Sequence, residues 1–178
     1  PFRYEDLIVV PNGNKRRVLA GRQEDKLMYS DDAGTNWTYV NGLSGVKSTI
    51  VNRQDNDVIY SANGNTIYKS TDKGSTFQVF QSFTVSANNV RLYSPRWSSQ
   101  PNAEEVYLIR DGKSYLLNSA KTSFEQKGTL PNNNRIAISG DSRKLWATLD
   151  GKKWYYSTNK GVSFTFQPTI SYWYDEKG

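Results

Sequence analysis

The chain reads as an all-β protein made of four similar units, each of four short antiparallel strands. Three observations predict this: an eight-residue motif that returns at a near-constant interval, strand-like residues on both sides of every copy, and a composition that favours sheet. The first copy is Ser30-Asp31-Asp32-Ala33-Gly34-Thr35-Asn36-Trp37. Ser70-Thr71-Asp72-Lys73-Gly74-Ser75-Thr76-Phe77 keeps Ser, Asp, Gly and the closing aromatic at the same offsets, and Ser157-Thr158-Asn159-Lys160-Gly161-Val162-Ser163-Phe164 keeps them with Asn in the Asp place. An eroded copy, Leu117-Asn118-Ser119-Ala120-Lys121-Thr122-Ser123-Phe124, retains the closing Ser-Phe and the position. The copies begin at 30, 70, 117 and 157, at intervals of 40, 47 and 40 residues. A period of this size with strand-like flanks signals a repeat architecture. Aromatic residues are plentiful, with 12 Tyr, 7 Phe and 5 Trp, which favours strands. No helical periodicity is found.

Each copy follows a run ending in aromatic or apolar residues and precedes another strand, so it is expected to be a hairpin turn. The Asp or Asn carboxyl or amide oxygen would accept from turn N–H groups, and the Gly two residues later would supply a positive φ. Trp37, Phe77, Phe124 and Phe164 are then expected to fold back into the core. Lys121 stands where the other copies have Gly, which predicts a different turn there.

Taken in order, the first unit has strands over 6–10, 17–21, 26–29 and 37–40, with a turn at Pro11-Asn12-Gly13-Asn14. The second has them over 46–51, 58–61, 66–68 and 77–80. The third places them at 89–93, 106–109, 114–117 and 124–126, a longer excursion over 94–104 accounting for its wider interval. The fourth runs 135–138, 144–148, 153–156 and 164–166, leaving a tail over 171–178. The units are bounded near 1–43, 44–85, 86–130 and 131–170, within one domain over 1–178.

The pattern S-x-D-x-G-x-T-[WF] resembles the Asp-box, or BNR repeat, of sialidase-like, xyloglucanase-like and sortilin-like β-propellers. The resemblance covers the whole chain and implies four Asp-box blades, the third eroded, either closed on themselves or forming an arc of a larger propeller. Further blades would then come from the same or another chain. In that family the box joins the third and fourth strands of a blade on the rim away from the ligand. Ser30, Asp32, Gly34, Trp37, Ser70, Asp72, Gly74, Phe77, Ser157, Asn159, Gly161 and Phe164 are accordingly structural. The family also implies a secreted, periplasmic or cell-surface location.

Zero Cys excludes disulfides and thiol catalysis, and zero His removes the commonest general base and transition-metal ligand. No metal site and no cofactor are expected. The net charge of +6 is uneven: residues 1–89 carry 10 Lys/Arg against 9 Asp/Glu, and residues 90–178 carry 13 against 8. Dispersed charge of this kind usually reflects a solvated exterior. No basic stripe interleaved with aromatics points to nucleic acid, and no apolar run is long enough to span a membrane. The opening residues are not expected to be a signal peptide. Beginning at Pro1 rather than Met points to a processed chain or a piece of a longer one.

In a four-stranded meander the second-to-third turns and the links between units share the rim opposite the boxes. Function is expected there. The candidates are Arg3, Glu5, Arg22, Asp25, Arg91, Asp111, Asp150 and Lys152, a mixed-charge set suited to a polar or anionic ligand. Phe2-Arg3-Tyr4-Glu5 resembles the opening F-R-I-P stretch of sialidases, which implies a carboxylate-binding role for Arg3 alone. Glu5, Glu24, Asp25, Asp111 and Asp150 form the pool from which a glycosidase pair would be drawn. Asp111-Gly112 and Asp150-Gly151 are also strong hairpin formers. Trp97 and Tyr172-Trp173-Tyr174 could stack on sugars or be buried against a neighbour. With no complete catalytic set, the leading expectation is a non-catalytic binding or scaffold module recognising a glycan or protein partner. The alternative is a fragment of a sialidase-like or xyloglucanase-like glycoside hydrolase.

Overall fold

The structure, a computed structural model, describes residues 4–22, 26–43, 45–52, 55–94, 105–131, 135–138, 144–148 and 153–168. Among these, sixteen strands form four antiparallel sheets. Sheet I holds β1 (Tyr4–Asn12), β2 (Lys15–Arg22), β3 (Met28–Ser30) and β4 (Thr38–Tyr39). Sheet II holds β5 (Ser48–Val51), β6 (Ile59–Ala62), β7 (Thr66–Ser70) and β8 (Gln78–Ser82). Sheet III holds β9 (Val90–Tyr93), β10 (Tyr107–Arg110), β11 (Lys113–Leu117) and β12 (Phe124–Thr129). Sheet IV holds β13 (Arg135–Ile138), β14 (Leu145–Thr148), β15 (Trp154–Ser157) and β16 (Thr165–Gln167). Within every sheet the strands lie in sequence order, as a meander requires. The fourfold, four-strand reading of the sequence therefore holds, with ends shifted by a few residues.

One boundary differs for a physical reason. β1 continues through Pro11, paired with Arg16, to Asn12 paired with Lys15, so the turn is shorter than expected. Pro11 lacks a backbone N–H, but β1 is an edge strand of its sheet, where that loss leaves no ladder bond broken.

The chain divides into two compact units, Pro1–Ser94 and Pro95–Gly178. In the first, β1 packs beside β5 and β5 beside β9. Its core forms where one face of sheet I meets one face of sheet II. Val10, Leu19, Leu27, Val40, Leu43, Val46 and Ile59 are buried there, with Ile8, Tyr29, Val51, Tyr68 and Phe77 packed against them. Directly paired strand residues share a face. Leu19 pairs Tyr29 on the face of sheet I toward sheet II, and Ile59 pairs Ser70 on the answering face. In the second unit the buried apolar residues include Val106, Tyr107, Leu108, Phe124, Leu145 and Ala147.

The closing aromatics do not behave alike. Phe124 is buried, and Phe77 and Phe164 are half-buried. Trp37 departs from the expectation: it is 41% exposed, and its indole Nε1 donates to Gly34 O at 2.9 Å. It lies over its own turn instead of entering a core, because its face of sheet I is not the one that meets sheet II.

Candidate functional site

Geometry decides which parts of the repeat are free to serve a ligand, and the turns come first. In the first turn Ser30 Oγ donates to Asp32 Oδ1 at 2.7 Å and accepts from Gly34 N at 2.8 Å. Asp32 in turn accepts from Asn36 N at 2.8 Å and from Asn36 Nδ2 at 2.7 Å. The second turn repeats every step: Ser70 Oγ to Asp72 at 2.7 Å, Gly74 N to Ser70 Oγ at 2.8 Å, and Thr76 N and Oγ1 to Asp72 at 2.9 and 2.6 Å. In the fourth, Ser157 Oγ donates to Asn159 Oδ1 at 2.8 Å, which also accepts from Ser163 N at 3.0 Å. The φ of Gly34, Gly74 and Gly161 is +90°, +81° and +85°. Sequence reasoning missed that the preceding residues, Ala33, Lys73 and Lys160, are also at positive φ, near +60°.

The eroded turn is built differently, as expected. Asn118 takes the acceptor role and receives Thr122 N at 2.8 Å, while Lys121 N closes onto Asn118 O at 2.9 Å. Lys121, at φ +57°, is the one residue of that turn in the left-handed region.

Each of two turns is also bound to the neighbouring sheet of its unit. Arg17, on β2, grips Asp31 with Nε to Oδ1 at 2.8 Å and Nη2 to Oδ2 at 2.7 Å. Its Nη1 donates across to Ser75 Oγ and to Lys73 O in the second turn, and its guanidinium lies 4.2 Å from the Tyr29 ring centroid. In the second unit Ser114 Oγ donates to Gly161 O at 2.7 Å, and Glu105 pairs with Lys160 and accepts from Tyr107 Oη at 2.7 Å. Burial and that hydrogen bond push the Tyr107 phenol far up.

The carboxylates of these turns titrate low. Hydrogen bonds from Asn36 N, Ser30 and the Asn36 amide hold Asp32 down to about 2. Burial pushes Asp72 up, but donors from Thr76, Ser70 and Ser75 outweigh it, and the Arg17 hydrogen bond lowers Asp31. Folded values below the unfolded value of about 3.9 mean stability that is complete above about pH 4 and lost as pH falls through the folded values. Asn118 and Asn159 do not titrate. Amide protection at Asn36 and Thr76 is therefore expected to fall between about pH 4 and 2, while protection at Thr122 and Ser163 changes less. Asp72→Ala is expected to cost about 1 kcal/mol. Hydrogen exchange by NMR across that pH range checks the contrast, and equal loss in all four turns would contradict it.

The end of sheet II opposite its turn gathers a second set of groups. Asn63 Oδ1 accepts from Asn65 N and Thr66 N at 3.0 and 2.8 Å, shaping the β6–β7 turn. The link after β8 is tied to that turn by Phe83 N to Asn65 O at 2.8 Å and Ala87 N to Gly64 O at 2.7 Å. Lys47 Nζ donates to Ala87 O and Asn88 O, each at 2.9 Å, and Arg91 Nη1 donates to Lys47 O at 2.6 Å. The structure thus brings together the turn at 63–65, the link at 83–88, Lys47 and Arg91. Val85 projects there at 69% exposure, beside exposed Ser86, Asn88 and Asn89.

Of the eight predicted site residues, Arg91 and Asp111 have described side chains. Arg91 is exposed but also straps the start of sheet II, which sequence reasoning did not foresee. Asp111 is exposed at φ +44°, followed by Gly112 at +73°, the paired positive φ of a two-residue hairpin turn. Glu5 lies in β1 and Arg22 ends β2, and their side chains lie outside the described residues. Arg3, Asp25, Asp150 and Lys152 lie wholly outside them, as do Glu24, Trp97 and the cluster at 172–174. Lys47 was not singled out; its position just before β5 was the available signal. Among the described residues no group of three or more Asp or Glu is placed to hold a metal ion, and no helix is long and apolar enough to cross a membrane.

No protein-family model matches the chain, and no curated protein does. Solved structures do. An ancestral GH74 enzyme superposes with a TM-score of 0.73 at 18% identity, over 94% of this chain and 26% of that one. YCF48 bound to D1 peptide gives 0.57 at 14% identity, over 92% and 53%. PorZ, a bacterial surface component of the type-IX secretion system of Porphyromonas gingivalis, gives 0.55 at 16%, over 93% and 21%. The chain thus spans between about a fifth and about half the length of these structures. At such identities the likeness is one of fold, and the fold is that of a β-propeller built of four-stranded antiparallel sheets.

Proposed function

We infer that the chain is an Asp-box (BNR) propeller segment, one domain over its whole length, serving as a non-catalytic binding or scaffold module. It would act outside the cell or at its surface and recognise a glycan or protein partner through the rim opposite the turns. One observation carries this reading. The polar groups of the repeated turns are engaged inside the fold, whereas the opposite end of sheet II combines an internally strapped backbone with exposed Val85, Ser86, Asn88 and Asn89. A rim held rigid by its own hydrogen bonds, with a mixed apolar and amide surface, suits recognition because little ordering remains to be done on binding. Arg3, Glu5, Arg22, Asp25, Arg91, Asp111, Asp150 and Lys152 remain the proposed contributors. Likeness to a peptide-bound propeller and to a surface component lends support at the level of fold.

Glycan and peptide arrays test the reading. Val85→Asp is expected to cut the signal about tenfold or more with the melting temperature unchanged, whereas Asp72→Ala should lower stability and spare binding. Loss of binding in a stable Asp72 variant, with Val85→Asp inert, would place the ligand on the wrong rim. The ancestral GH74 likeness favours a second reading, a glycoside-hydrolase fragment using Glu5 or Asp25. Hydrolysis of a sialoside or plant glucan, abolished by Glu5→Gln or Asp25→Asn, would establish it.

A further inference from the structure

Sheets I and II answer each other residue for residue, and the comparison exposes an unmatched face. Ser30 pairs Val18, which pairs Val9; Ser70 pairs Ile59, which pairs Val51. Two residues along, Met28, Ala20 and Leu7 stand where sheet II has Tyr68, Ser61 and Thr49. Trp37 stands where sheet II has Phe77. On sheet II this leading face lies against sheet I, so Thr49 is 2% exposed and Ile59 fully buried. On sheet I the same face is closed only at Ala20 and Ser30, each 1% exposed, and is open around them. Leu7 is 65% exposed, Val9 50%, Val18 half-buried, and Trp37 lies uncovered over its turn. A Cβ at Gly34 would likewise meet Trp37 alone within 4 Å, whereas one at its counterpart Gly74 would stand 2.4 Å from Leu19 of sheet I.

The fold itself states what covers such a face. Against sheet II it is the trailing face of sheet I, on which Ile8, Leu19, Tyr29 and Thr38 pair in a row and Arg17 reaches from over Tyr29 to the incoming turn. Sheet IV carries the same arrangement. Ala137, Trp146, Tyr156 and Thr165 pair in a row, with Thr165 and Tyr156 repeating Thr38 and Tyr29. Lys144 occupies the place of Arg17, its ammonium 5.6 Å from the Tyr156 ring and 5.9 Å from that of Trp146.

We propose that the leading face of sheet I, Leu7, Val9, Val18 and Trp37, is an interaction surface for the trailing face of sheet IV, Lys144, Trp146 and Tyr156, of a second copy of this chain. Thr35 and Ala33 O of the incoming turn would meet Lys144, as Ser75 and Lys73 O meet Arg17. The contact is head-to-tail, so the two patches differ and two junctions can close a pair. A pair holds eight sheets, within the range of propeller blade numbers of about 4 to 8.

Sedimentation velocity across a wide concentration series tests this, with melting curves to confirm folding. The wild-type chain is expected to shift from one to two chain masses. Leu7→Lys with Val9→Lys, and separately Lys144→Glu with Trp146→Ser, should each remain at one chain mass at the highest concentration. Mixed together, these two variants should recover a two-chain species, since each supplies the patch the other lacks. A wild-type chain that stays monomeric throughout overturns the proposal. So does a Lys144→Glu, Trp146→Ser variant that still dimerises, because that would mean the leading faces meet each other.

Discussion

Alanine in place of Gly128 is expected to lower the stability of the chain by about 3 kcal/mol, at the upper end of what overpacking usually costs. Gly128, on β12, pairs Ser114 of β11 beside a register shift, and the turn at 157–164 lies directly on this pair. A Cβ at 128 would stand 2.4 Å from Gly161 O, 2.4 Å from Val162 O and 2.9 Å from Val162 C. These are backbone atoms of a turn already fixed by Ser157 and Asn159, so no side chain can swing aside to make room. Gly13 gives the control. It has φ +60°, and a Cβ there would meet nothing within 4 Å, so its alanine variant should lose only the left-handed backbone cost of about 1 to 2 kcal/mol. Urea unfolding of the two variants, with an unchanged slope, separates the effects. A Gly128→Ala chain as stable as the wild type would mean that the turn does not rest on β12.

The sequence discloses what is local and hides what is not. The hydrogen bonds made within the turns join residues at most five apart, such as Ser30 with Gly34 and Asn118 with Ser123. A motif and its backbone conformation can therefore be read together. The four-strand count follows from the same locality, because each turn fixes the two strands it joins. Packing between sheets is written across long separations. Arg17 and Ser75 are 58 positions apart, and Arg17 looks in sequence like the last of the basic run Lys15-Arg16-Arg17. Strand parity was the one available signal, since Arg17 shares the face of Leu19. Trp37 misled for the complementary reason: an aromatic closing a turn folds back, but only a covering sheet decides whether it is buried. The candidate rim was legible as a topological end and not as a set of side chains. That a link at 83–88 would fold onto the turn at 63–65, or that Arg91 would hold Lys47 O, depends on loop conformations with no repeat to report them.

Arg17→Met is expected to destabilise the chain by about 2 kcal/mol, below the 3 to 5 typical of breaking a fully buried ion pair. The discount has a physical source. Arg17 is buried, but the side chain of Asp31 is 36% exposed, so water can solvate the carboxylate once its partner is gone. Asp31 also keeps the amide of Asn12 at 3.0 Å. What solvent cannot replace is the reach across the sheets: the fork on Asp31 orients the guanidinium, and the orientation delivers Nη1 to Ser75 Oγ and Lys73 O. Lysine should rescue little, since an ammonium cannot hold a carboxylate with two parallel bonds while donating a third to the next turn. The Asp31 hydrogen bond keeps Arg17 above its ordinary value although desolvation acts against the charge, so the guanidinium stays charged. A double-mutant cycle pairing Arg17→Met with Ser75→Ala isolates the cross-sheet part and is expected to show coupling of about 1 kcal/mol. Strict additivity of the two substitutions would confine Arg17 to sheet I and remove it as the clamp between the sheets.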